Sequence, residues 1–127
     1  MIRLQTIALT SAPTRDNALP TTLIPEMTLS FTLLKASRVF VWFSGTFSNS
    51  NSNQGGTFQC VVDGVSDAQM QRTQKMGGGD NGFVVVMQKL LYLTPGTHTV
   101  AIYWAASAIT LTAVGIERSM TILEEEG

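Results

Sequence analysis

The sequence predicts an all-β fold, a sandwich or barrel of about eight antiparallel strands. Two observations carry this reading. Helical periodicity is hard to find anywhere in the 127 residues, whereas short runs rich in Val, Ile, Thr, Phe, Tyr and Trp recur between clusters of Gly, Asn, Asp and Pro. Charged residues make up 13% of the chain against 44% hydrophobic, where an average soluble domain carries about 25% charged residues. So little solvating charge implies that much of the apparent surface is contact surface.

Residues 1–10 alternate weakly, with Ile2, Leu4, Ile7 and Leu9 as the apolar members, and residues 11–20 form a polar loop closed by Pro20. Together residues 1–20 read as an N-terminal arm ahead of a single domain, residues 21–127. After the break at Pro25, Leu29, Phe31 and Leu33 alternate with Thr28, Ser30 and Thr32, the pattern of a half-buried strand. Lys35 to Arg38 turn the chain. Val39 to Phe43 is apolar on both faces, and Ser48 to Gly56, made only of Ser, Asn, Gln and Gly, favours an exposed loop.

Thr57 to Val62 forms a strand ended by the turn dipeptide Asp63-Gly64, and Val65 to Lys75 is polar and ambiguous. Met76 to Gly82 is a glycine-rich loop. Phe83 to Leu93 is the longest candidate strand. A helix over 84–93 competes, but Val84, Val85 and Val86 together with the flanking glycines favour the strand. Pro95 and Gly96 supply the φ values of a reversal, so a hairpin is expected between this strand and Thr97 to Ala105. Ile109 to Val114 and Ser119 to Glu124 complete the set, separated by Gly115 to Glu117.

Composition also bounds function. A net charge of −1 offers no general attraction to nucleic acid or to an anionic membrane. The N-terminus lacks a signal-peptide pattern, and no run approaches the roughly 20 apolar residues that span a bilayer. Cys60 is the only cysteine, so no intrachain disulfide forms; mid-strand beside Val61 and Val62, it reads as an inert core thiol. The single histidine, His98, alternates with Val100 and Ile102 and reads as a hairpin-end residue packed near the sheet rim. No Ser sits in a Gly-x-Ser-x-Gly elbow that it might serve.

Met76 to Gly82 lacks the Lys and Ser/Thr of a phosphate loop. Asp63, Asp67 and Asp80 lack the dense alternation of a Ca²⁺ loop, and there is no His/Cys cluster for zinc. No catalytic residue, cofactor or metal is expected. Glu124, Glu125 and Glu126 read as a solvated tail, and Arg118 as a partner for one of these carboxylates.

Leu29 to Leu33, the run Arg38 to Phe47, Val62-Asp63-Gly64, Leu93 to Val100 and Glu117 to Glu124 resemble small jelly-roll modules of bacteriophage virion proteins. Those modules are similar to the tumour necrosis factor and complement globular-head superfamily. The resemblance covers most of the chain after residue 20 and lies in strand spacing and turns. It implies a jelly roll of eight to ten strands that associates as a trimer and serves as capsid decoration, tail component or receptor-binding head. The N-terminal arm has no counterpart in that pattern.

Three strands carry apolar side chains on both faces, where a sandwich strand should have one polar face. They are 39–43, 83–93 and 97–105. An outer face bearing Trp, Tyr or Phe must be covered, and subunit interfaces are enriched in such residues and depleted of charge. The expected interface set is Phe40, Trp42, Val84, Val86, Tyr92, Tyr103 and Trp104, with Ile2, Leu4, Ile7 and Leu9 as arm contacts that add a strand to a neighbour's edge. The expectation is a non-enzymatic virion structural protein, a capsid decoration subunit assembled in the host cytoplasm. Its partners are its own copies, as a homotrimer, and other virion proteins such as the major capsid protein, with no direct nucleic acid or membrane contact. The alternative is a tail or fibre head that recognises host saccharide or protein through loops 48–56 and 76–82. A third reading is a hydrolase using His98 and a nearby Asp.

Overall fold

The computed structural model describes residues 2–8, 14–15, 22–50, 53–79, 81–106 and 111–126, with side chains described over 27–50, 53–67, 69–79, 81–105 and 119–125. Every regular element among the described residues is a strand. In chain order these are β1 (Ile2–Ala8), β2 (Thr14–Arg15), β3 (Thr22–Leu33), β4 (Ser37–Asn49), β5 (Gly55–Val62), β6 (Val65–Lys75), β7 (Phe83–Leu93), β8 (Gly96–Ala106) and β9 (Leu111–Glu126).

They form a five-stranded sheet in the order β1-β9-β4-β7, with β2 also on β9, and a four-stranded sheet in the order β3-β8-β5-β6. All pairings are antiparallel. Setting the short β2 aside, this is the strand order of a jelly roll. Each connection crosses between the sheets except the β5–β6 hairpin, where Asp63 (φ 51°) and Gly64 (φ 82°) provide the two left-handed residues of a tight turn.

The chain departs from the expected elements at four places. The reversal at Thr94-Pro95 is an arch between the two sheets and not a hairpin, because β7 and β8 bring their apolar faces together across the core. Residues 65–75, polar in sequence, form β6, an edge strand in which Met70 alone is fully buried among the described side chains. The expected break at Gly115 to Glu117 is a register shift inside the continuous strand β9, absorbed opposite Gly45 to Phe47 of β4. Residues 2–8, read as an arm for a neighbour's edge, pair with β9 from Ile2↔Glu125 to Ala8↔Ser119 in this chain's own sheet. Leu9 lies outside the described residues, and Ile2, Leu4 and Ile7 are placed by backbone alone.

The core lies between the sheets, where alternation turns Val39, Val41, Phe43 and Phe47 of β4 toward Phe58 and Cys60 of β5 and Val100, Ile102 and Trp104 of β8. Phe47 is its centre, with ring centroids 4.4 Å from Phe58, 6.0 Å from Trp104, 6.1 Å from Phe83 and 6.3 Å from Phe43. Each such side chain contributes about 1.5–3 kcal/mol on burial. At the open edge, Lys89 of β7 donates to Asp67 of β6 at 2.6 Å and ties the two sheets together. That bond holds the Asp67 carboxyl below its usual range.

Candidate interaction surface

The residues facing away from the core differ sharply between the two sheets. On the four-stranded sheet they are mostly hydroxyls and amides that bond one another across the strands, with Val61, Ala101, Tyr103 and Ala105 among them. Thr32 pairs with Thr97 at 3.1 Å, Thr57 with Thr73 at 3.2 Å, Ser30 with Thr99 at 3.5 Å, and Ser66 donates to Gln59 at 3.1 Å. This face is built for water.

The outer face of the five-stranded sheet is not. The register aligns Leu123, Phe40 and Leu90 in one row across β9, β4 and β7, then Thr121, Trp42 and Gln88, then Ser119, Ser44 and Val86, with Thr46 beside Val84. Tyr92 is 76% exposed, Val84 61%, Trp42 50%, Val86 46%, Leu90 43% and Leu123 37%. Phe40 is half-buried, with its ring edge-on to Trp42 at 6.5 Å.

Among the described outward positions of β4, β7 and β9, Arg38 and Glu125 are the only charges. They cancel, the Arg38 guanidinium donating to the Glu125 carboxylate at 2.6 Å. Two shallow hollows indent the region. One, of about 210 Å³, lies among Trp42, Ser44, Ser119 and Thr121, and the other, of about 280 Å³, lies at its end among Ser37, Arg38, Tyr92, Leu93 and Thr94.

The structure brings five of the expected interface residues together here: Phe40, Trp42, Val84, Val86 and Tyr92. Leu90, which alternation puts on the same face as Val84, Val86 and Tyr92, and Leu123 of β9 join them on either side of Phe40. Two expected members lie elsewhere. Trp104 is 1% exposed, in the core against Phe47, and Tyr103 is half-buried on the outside of the other sheet. Period-2 alternation puts Trp104 with Val100 and Ile102; packing then turns that larger set inward.

Glu124, expected in a solvated tail, is 1% exposed on the inner face of β9. Glu125 accepts from Arg38, and the expectation for Arg118 lies outside the described side chains. The loops after β4 and β6 sit together at one end of the sandwich. The Asn53 N–H donates to the Met76 carbonyl and the Met76 N–H to the Gln54 carbonyl, both at 3.0 Å. Asn49, buried, donates to the Gly55 carbonyl at 3.0 Å, so the loop expected over 48–56 shortens to 50–54.

Among the described residues, His98, Asp63, Asp67 and Cys60 are engaged by the fold. His98 is 8% exposed, with Nδ1 2.7 Å from Asp63 Oδ2 and Nε2 2.7 Å from the Thr94 carbonyl. The Thr99 N–H donates to Asp63 Oδ1 at 2.8 Å, and the Asp63 N–H donates to the Thr99 carbonyl at 2.8 Å. Neither nitrogen of the ring is left to take a proton from a nucleophile.

The Asp63 hydrogen bond, then the Thr94 carbonyl, raise His98 above its ordinary pKa. Burial alone would raise Asp63, but the bonds from His98 and Thr99 outweigh it and hold this carboxyl below its usual range. Burial pushes the Cys60 thiol up to about 12. Asp63 and Asp67 each hold a basic partner, and Asp80 lies outside the described residues.

No family model matches the chain, and neither does any curated protein. Solved structures share its fold. Dimeric latent PorU from Porphyromonas gingivalis superposes with a TM-score of 0.60 at 10% identity over 98% of this chain and 12% of that one. Infectious bursal disease virus superposes at 0.55 for the Gt strain, with 10% identity over 98% of this chain and 38% of that one. The Gx strain gives 0.51, with 12% identity over 100% of this chain and 32% of that one. The chain thus spans well under half the length of these neighbours, and the likeness is one of fold: an all-β jelly-roll sandwich.

Proposed function

We propose that the protein is a virion structural subunit that works by assembling through the outer face of its five-stranded sheet. The observation that carries this is the asymmetry of the two outer faces, one rich in hydroxyls that satisfy one another, the other an exposed apolar sheet whose two charges among the described side chains cancel. Burying that face removes apolar area from water at roughly 25 cal/mol per Å². The virus structures among the fold neighbours support the virion setting. Within it the reading is capsid decoration, as a homotrimer that also contacts other virion proteins such as the major capsid protein. The strand β1 serves the sheet's own edge in this reading, so the contact is made by side chains of the face and not by an added strand.

Multi-angle light scattering of the purified chain tests this. A trimer mass is expected, and a dispersed monomer at micromolar concentration overturns the assembly. The stitching of loops 50–54 and 76–82 at one end favours a second reading, a recognition head for host saccharide or protein. A glycan array whose hits vanish when loop 50–54 is shortened would establish it.

A further inference from the structure

We infer that His98 is an imidazolium that fastens the β5–β6 and β7–β8 turns to each other, so that this end of the sandwich loosens when its proton is removed. The inference rests on the hydrogen-bond inventory of one ring and is independent of the assembly. Nδ1 faces the Asp63 carboxylate and Nε2 faces a main-chain carbonyl, each at 2.7 Å. A carbonyl only accepts, and an ionised carboxylate only accepts. A neutral imidazole has a single N–H, so one of the two contacts would set a lone pair against an oxygen. Both contacts are satisfied only when both nitrogens carry hydrogen.

The proton belongs on the ring and not on Asp63, because imidazole is the stronger base of the two and the bonds from His98 and from the Thr99 N–H, at 2.8 Å to the other oxygen, hold this carboxyl below its usual range. The Phe31 ring lies against the imidazole at 5.9 Å and helps exclude water. Among the described side chains, the charged groups around this end are few. Asp63 comes from the β5–β6 turn, Glu124 is buried on the inner face of β9 in the opposite sheet, Lys35 is exposed on the β3–β4 turn, and Arg38 and Glu125 neutralise each other on the outer face. Asp63 is the charge that acts on His98.

The fastener has a window of pH with a definite sign. The histidine is raised, so its contribution is full below the unfolded value of about 6.5 and is lost as pH rises through the folded value. The aspartate is lowered, so its contribution is full above the unfolded value and is lost as pH falls through the folded one. What opens outside that window is the arch Thr94-Pro95, which leads from Tyr92 at the end of the apolar face. Because His98 is the only histidine among 127 residues, every imidazole signal is assignable to it.

The test is NMR on the full chain. Nitrogen-15 shifts of the single imidazole are followed against pH, together with hydrogen exchange of the Thr99 amide corrected for intrinsic base catalysis. Both ring nitrogens protonated at pH 7, with a midpoint above about 6.5 and faster corrected exchange at Thr99 once the midpoint is passed, is the expected result. Asp63→Asn should lower the midpoint, and His98→Gln should remove the pH dependence of Thr99 exchange. A single neutral tautomer at pH 7 in the wild type overturns the inference, and so does Thr99 exchange that ignores the titration. The wild-type measurement decides the matter even if a variant fails to fold.

Discussion

Val86 sits in β7, opposite Ser44, with the Trp42–Gln88 row on one side and the Thr46–Val84 row on the other. Replacing it with lysine puts an ammonium into the middle of the proposed contact. The exposed fractions of Tyr92, Val84, Trp42, Val86, Leu90 and Leu123 together amount to about three fully exposed side chains. At about 1.5–3 kcal/mol each, their burial contributes about 5–9 kcal/mol per subunit, against an association cost of about 4–15 kcal/mol. The balance is close enough for one substitution to tip it.

Val86→Lys loses roughly 1 kcal/mol of apolar burial. It also strands a charge, because Glu125, the one outward carboxylate described on this face, is already held by Arg38. An uncompensated buried charge costs about 3–5 kcal/mol. Allowing for partial escape of a long side chain to solvent, association should weaken by at least about 2 kcal/mol, or about 30-fold in Kd. The isolated subunit should change by less than about 0.5 kcal/mol, since the position is half exposed. Sedimentation velocity across a concentration series reads the first quantity and thermal unfolding the second. Ser30→Lys, on the hydroxyl face, is the control that should leave both unchanged. Equal association constants for wild type and Val86→Lys, with unaltered melting, would refute the assignment of this face.

Truncating the central core ring, Phe47→Ala, should cost about 3–5 kcal/mol, read as a lower urea midpoint with little change in slope; a loss under about 1 kcal/mol would mean that the aromatic cluster does not organise the core. Cys60, fully buried and with its thiol pushed up to about 12, should resist maleimide in the native state at mildly alkaline pH and react on unfolding, so rapid native labelling would contradict its placement. Gly64→Ala should cost about 1 kcal/mol through its positive φ alone, with open space around the new methyl. Gly55→Ala should be far more damaging, because its Cβ would fall 1.8 Å from the Gln74 carbonyl oxygen; equal melting temperatures for the two variants would count against the β5–β6 register.

The strands were legible where a period of two coincides with strong β-formers. Phe83 to Leu93 is recovered residue for residue, and Val39 to Phe43 lies wholly inside β4. What sequence could not resolve has physical causes. An edge strand such as β6 needs few apolar residues, so a polar run hides it. A register shift keeps β9 continuous past Gly115 because β4 continues beside it, which is a property of the partner strand and not of the local residues. The arch at Thr94-Pro95 and a hairpin use the same turn residues, and only the packing of two apolar faces against each other decides between them.

The interface set shows the same limit. Alternation sorts residues into two faces but does not say which face turns inward when both are apolar, which is how Trp104 came to stand beside Trp42. The His98–Asp63 contact joins residues 35 positions apart, and the turn dipeptide at Asp63 gave no sign that its side chain would be the acceptor.

The two outer faces give the subunit a polarity that its nearly balanced charge conceals. In a shell built through the apolar side, each copy presents Ser30, Thr32, Thr57, Thr73, Thr97 and Thr99 outward, their hydroxyls already engaged with one another. Such an exterior is wettable and sparsely charged, Arg72 and Lys75 of β6 being the exposed cations at its edge, so it exerts only a weak long-range field on its surroundings. Particles coated this way would stay dispersed through hydration alone, with a colloidal behaviour that varies little with salt, while the free subunit, its oily side uncovered, would be the species prone to salting out.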